Sequence, residues 1–218
     1  MVKIAMHKDL KPINRRTSVM KIVCLGDSLT YGYGVDKIDS WVHQSQKKTG
    51  FDIINMGING DTSEGMLYRF KMDVIFQKPD FVFMMGGSND LIMGVEPRIV
   101  ESNMVLMIKQ AFDNSIEPII GIPPNIDVHN MRDDWGSYSD FVKVAKQLEK
   151  YRELLLRYAM VSDVRYVDFY AVIEEYATIG KYNLYLDGLH LNDKGHRIMA
   201  DFFYGFLMNN NPYCSRIK

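Results

Sequence analysis

Asp80-Phe81-Val82-Phe83-Met84-Met85-Gly86 is apolar almost without a break. A strand with one wet face alternates apolar and polar side chains. A strand covered on both faces does not, which marks a parallel sheet sandwiched between helices. Four more stretches read as strands: 21–26, 51–56, 117–122 and 164–169. Between the strands lie segments of helical period, near 39–49, 62–77, 97–113, 139–160, 170–178 and 193–208. In 139–160, Phe141, Val144, Leu148, Tyr151, Leu155 and Tyr158 recur every three or four residues, giving one apolar stripe. Strands separated by helices of this length need right-handed crossovers. The expectation is an α/β fold, a three-layer α/β/α sandwich with about five parallel strands. Periodicity does not encode the strand order.

The chain has 218 residues, is 47% hydrophobic and shows no internal repeat or linker, so one domain over 20–218 is expected. Residues 1–19 lack periodicity, contain Pro12, and read as a loosely ordered extension. A net charge of -1 supplies no field toward nucleic acid or anionic lipid, and neither is an expected partner. No stretch approaches the roughly 20 apolar residues of a membrane span, so no stable membrane insertion is expected. Met1 to Arg16 is basic without an apolar core, so it is not read as a signal peptide. Cys24 and Cys214 are too few for a disulfide framework, and the cytoplasm is the expected compartment. Fifteen methionines fit a plastic core. Homo-oligomerisation stays open.

Ligands of open parallel sheets bind beyond the carboxyl ends of the strands. Just past the first strand comes Gly26-Asp27-Ser28-Leu29. Ser28 reads either as a helix cap or as a nucleophile awaiting a base. Gly57-Ile58-Asn59-Gly60-Asp61 follows the second strand, and Gly86-Gly87-Ser88-Asn89-Asp90 follows the third. Alone, Gly60 is a turn glycine and Asn89 a cap or Asx-turn. Together they supply a backbone N–H and a side-chain amide beside Ser28, which is what a developing oxyanion requires. Asp187-Gly188-Leu189-His190 supplies a base, His190, and a carboxylate to orient it, Asp187. Asp193-Lys194-Gly195-His196 repeats that spacing. There Asn192 and Asp193 read as caps of the last helix, which makes His196 structural. In this order the segments form a kit for breaking an ester without a metal.

The loop 123–138 follows the fourth strand and is rich in turn formers, with Trp135 and Tyr138 near its end. Trp135 and Asp27 are the expected substrate contacts, and Ile126, Val128 and Met131 are candidates for an acyl groove. Gly32-Tyr33-Gly34 lacks a dinucleotide fingerprint. His43 has no ligand partner at metal spacing, and His129 reads either as a substrate contact of the 123–138 loop or as an exposed loop residue.

These blocks closely resemble those of the GDSL-type esterase/lipase family, the SGNH hydrolases. Their order is Gly26 to Leu29, Asn55 to Thr62, Gly86 to Asp90, and Asp187 to Asn192, with Ser88 where many members have threonine. The similarity runs from about Met20 to Phe206. It implies a flavodoxin-like sheet, hydrolysis of esters or thioesters by Ser28, His190 and Asp187, an oxyanion hole of Ser28, Gly60 and Asn89, and no cofactor. Short acyl esters, such as acetylated sugars, are the first expected substrates. A lipase, lysophospholipase or thioesterase acting on longer chains is the alternative. A non-catalytic ligand-binding module of the same fold is a distant one.

Overall fold

A computed structural model describes residues 19–135, 139–180 and 182–208. Residues 1–18, Tyr138 and Cys214, which entered the sequence reading, lie outside the described residues.

Five strands form one sheet: β1 (Lys21–Gly26), β2 (Asp52–Gly57), β3 (Phe81–Met85), β4 (Glu117–Ile122) and β5 (Arg165–Asp168). All neighbouring pairs are parallel, and the order is β2-β1-β3-β4-β5. This is the flavodoxin-like order, whose switch point lies between β1 and β3. The helices are α1 (Ser28–Tyr31), α2 (Trp41–Thr49), α3 (Ser63–Asp73), α4 (Ser88–Ile92), α5 (Pro97–Asp113), α6 (Phe141–Ser162), α7 (Phe169–Gly180) and α8 (Asp193–Leu207).

Strand alternation sends side chains to two cores. Val23, Leu25, Val82, Met84, Ile120 and Ile122 face one core, with Met66 and Phe70 of α3, Met104 and Met107 of α5, and Leu148 and Leu155 of α6. Ile22, Cys24, Phe83, Met85 and Ile119 face the other, with Trp41 of α2, Ile173 of α7 and Phe203 of α8. Val82, Phe83, Met84 and Met85 are fully buried, so β3 is covered on both faces as its composition requires. No helix among the described residues is long and apolar enough to cross a membrane.

Two elements depart from expectation. The segment 62–77 is not one helix. α3 stops at Asp73, and Ile75–Gln77 forms a 3₁₀ turn that ends at Lys78 with φ 48. Pro79 disfavours the helical region at the residue before it, which turns the chain there. The short α4 has no counterpart in the sequence reading, because five residues cannot display a helical period.

Candidate active site

β1 ends at Gly26 and the chain turns at once into α1. Asp27 caps that helix, its Oδ1 accepting the Leu29 N–H at 2.9 Å. Ser28 is therefore the first helical residue and not the cap. Its Oγ lies 3.0 Å from His190 Nε2, and His190 Nδ1 lies 2.8 Å from Asp187 Oδ2. All three residues are buried. Asp187 Oδ1 accepts the N–H of Leu189 at 3.1 Å and of His190 at 2.8 Å. Burial alone would raise the Asp187 carboxyl. The hydrogen bonds from the His190 ring and backbone, the His190 charge and the Leu189 N–H outweigh burial and hold the carboxyl below its ordinary range. An ionised carboxylate only accepts hydrogen bonds. The proton therefore sits on His190 Nδ1, and Nε2 is left to accept from the Ser28 hydroxyl.

The loop carrying this pair is pinned from a second segment. Gly188 has φ +86, and a Cβ there would lie 2.7 Å from Met131 Cα and 2.8 Å from the Asp127 carbonyl oxygen. Only glycine fits such a position. The Asp127 N–H donates to the Gly188 carbonyl at 2.7 Å, and the Arg132 N–H donates to the Asp187 carbonyl at 3.2 Å.

The candidate oxyanion donors stand on the neighbouring turns. Gly26 pairs with Gly57 on one side and Met85 on the other, so the turns after β1, β2 and β3 lie side by side. Gly60 has φ +76 and open space where a side chain would be. Its N–H has no acceptor among the described residues. The Ser28 N–H opens a helix and has no intrahelical acceptor. Asn89 donates one Nδ2 hydrogen to the Asp61 carbonyl at 2.8 Å, which orients the amide and leaves its second hydrogen available.

Trp135 packs edge-on against the His190 ring with centroids 5.9 Å apart, and Arg132 lies over its indole. Asp27 is wholly buried, so it offers no atom to a substrate, and that expectation is corrected. Its place beside Ser28 in sequence suggested an edge position, but the cap geometry turns its carboxyl inward, toward Gly86. Ile126 belongs to the core, while Val128 and Met131 are partly buried against it. His196 is structural: its Nδ1 accepts the Trp41 N–H at 3.3 Å, and the Trp41 indole donates to the Leu29 carbonyl at 2.9 Å. Burial, reinforced by the charge of His190, pushes His196 down to about 4.

Tyr33 went unrecognised in the sequence. Its ring lies against His190 at 4.3 Å between centroids. The available signal was its position between Gly32 and Gly34, both with positive φ, which folds the chain back over the nucleophile turn.

The model of the GDSL-like lipase/acylhydrolase family matches residues 24–198. Over 112 residues the chain is 35% identical to an uncharacterized lipoprotein, YqeF, of Bacillus subtilis, covering 45% of this chain and 46% of that protein. It is 34% identical over 113 residues to an arylesterase of Vibrio mimicus, covering 48% and 56%. The chain thus spans about half the length of these curated relatives. A solved member of the lipolytic protein G-D-S-L family from Veillonella parvula is 26% identical with a TM-score of 0.74, covering 87% of this chain and 97% of that one.

Proposed function

The chain belongs to the GDSL-like lipase/acylhydrolase family, and on that premise we propose that it is a serine esterase that cleaves carboxylic esters through an acyl-enzyme. The observation that carries this is the relay from Ser28 Oγ to His190 Nε2 at 3.0 Å and from His190 Nδ1 to Asp187 Oδ2 at 2.8 Å, beside unspent donors. As the bond from Ser28 Oγ to the acyl carbon forms, the hydroxyl proton passes to His190 Nε2. The carbonyl electron pair moves onto oxygen, which the N–H groups of Ser28 and Gly60 and the amide of Asn89 receive. Collapse expels the alcohol, which takes the proton from Nε2. Water then attacks the acyl carbon with His190 again as base, releasing the acid and restoring Ser28. Asp187 holds the tautomer and stabilises the imidazolium.

Short acyl esters of small molecules, such as acetylated sugars, are the substrates we favour. Tyr33 and Trp135 both pack against the His190 ring, which limits the room beside the base and offers aromatic faces to an alcohol moiety. A second reading, longer acyl chains, draws on half-exposed Tyr31, Ile58 and Leu186 on the segments that carry the site. The compartment we favour is the cytoplasm, consistent with Cys24 standing as a free, buried thiol.

The test is hydrolysis of p-nitrophenyl esters of increasing chain length by the wild type and by Ser28→Ala. A short-chain optimum in kcat/KM, lost in Ser28→Ala by about 10³-fold or more, is expected. Activity that survives the substitution sinks the mechanism, and kcat/KM rising with chain length replaces the first substrate class by the second.

A further inference from the structure

One arginine touches two of the three segments on which the candidate oxyanion donors are mounted and reaches the third through Asp61. Arg69 lies on α3. Its Nη2 donates to the Gly26 carbonyl at 2.9 Å, and Nη1 donates to the Met56 carbonyl at 2.9 Å and to Asp73 Oδ2 at 2.7 Å. Nε donates to Asp61 Oδ2 at 2.7 Å. The side chains of Arg69 and Asp61 are each 12% exposed, so water competes little for these bonds.

Gly26 closes β1, just before Asp27 and Ser28. Met56 lies near the end of β2, ahead of the loop that carries Gly60. Asp61 directly follows Gly60, and its own carbonyl is the acceptor that orients the Asn89 amide. A planar guanidinium with fixed donor directions therefore joins the Ser28 turn to the Gly60 turn, and through Asp61 to Asn89. A lysine ammonium is a single point charge and cannot span these acceptors at once.

We propose that Arg69, acting with Asp61, is the positioning residue that keeps the three oxyanion donors in register. This rests on the esterase reading above. The donors meet a full negative charge only in the tetrahedral state, so a small displacement of their turns weakens that state and leaves ground-state binding nearly unchanged.

The experiment compares the wild type, Ser28→Ala, Arg69→Lys, Asp61→Asn and the double variant Arg69→Lys/Asp61→Asn on p-nitrophenyl acetate. Binding of an alkylboronic acid, whose adduct with Ser28 is tetrahedral, is measured alongside. In Arg69→Lys and Asp61→Asn, kcat falls about 10–100-fold with KM within about twofold. Boronic acid affinity falls by the same factor as kcat. The double variant is no worse than the poorer single one, because the two residues act as a unit. If Arg69→Lys does not fold, Asp61→Asn carries the test, since it keeps the side-chain shape and the Asp61 carbonyl. A wild type that cleaves no ester sinks the esterase reading and this proposal with it. Wild-type activity lost in Ser28→Ala but retained in both Arg69→Lys and Asp61→Asn overturns this proposal alone. So does a rise in KM at unchanged kcat.

Discussion

Asp27→Asn converts a pH-dependent cost beneath the nucleophile into a constant one. The Asp27 carboxyl is fully buried; Oδ1 accepts the Leu29 N–H, while Oδ2 has no partner among the described residues. Burial pushes the group up to about 7, against the Leu29 bond and with help from the charges of Asp90 and Asp61. In the unfolded chain it titrates at the ordinary value of 3.8. Between those two values the folded protein holds a proton that the unfolded chain has released. Stability conferred by this group is therefore complete below the lower value and is lost as pH rises through the upper one. A gap of about three pH units at about 1.4 kcal/mol each makes this about 4 kcal/mol. Asparagine has nearly the same shape, and its Oδ1 keeps the Leu29 bond, but it releases no proton. Urea unfolding of both proteins near pH 4 and near pH 8 isolates the effect, because any fixed cost of the buried amide cancels between the two conditions. Relative to the wild type, Asp27→Asn gains about 4 kcal/mol from the acidic to the alkaline condition. A stability difference that is the same at both pH values refutes the assignment of the proton to Asp27.

His196 has the opposite sign. It is held at about 4 in the folded protein against 6.5 unfolded, so stability is lost as pH falls through that window; His196→Gln removes about 3 kcal/mol of that loss, read from urea midpoints near pH 4 and near pH 7. In Asp187→Asn, Oδ1 keeps the Leu189 and His190 backbone bonds, so the new amide faces the ring, donates to Nδ1 and forces the proton onto Nε2. Nε2 then cannot accept from Ser28, and kcat on p-nitrophenyl acetate drops about 10³–10⁴-fold with little change in melting temperature.

Much of the scaffold was legible because its elements are long or compositionally extreme. β1 and β4 have the bounds expected for them, and the stripe from Phe141 to Leu155 is buried as its period requires. Ser28 could be singled out because strand ends are where a parallel sheet gathers its ligands, and Asp187 and His190 because they stand three residues apart in a loop just before a capped helix. Strand order was not legible in periodicity, since a crossover to either side of β1 leaves the same pattern; only the family resemblance implied it. Asp27 misled because a carboxylate between a glycine and a serine reads as exposed, whereas the cap it makes draws it under the turn. Arg69 escaped notice because one cation on an otherwise ordinary helix carries no pattern. Its importance comes from carbonyls at Gly26 and Met56 that are distant in sequence.

The hydrogen bonds divide the site into two halves with different supports. Ser28 and the candidate donors stand on turns after β1, β2 and β3, joined through Arg69 and Asp61. The acid–base pair comes from the distant loop before α8 and is tied instead to the segment after β4, through Asp127 to Gly188 and Arg132 to Asp187. That same segment carries Trp135 against the His190 ring. A change within residues 127–135 therefore shifts the base and the pocket wall together, while the donor turns keep their own anchors. On the proposed mechanism, substrate selection and proton transfer share one support, and stabilisation of the tetrahedral state rests on another. Substitutions in the first group should alter KM, the pH profile and chain-length preference jointly, whereas those around Arg69 should reach kcat alone.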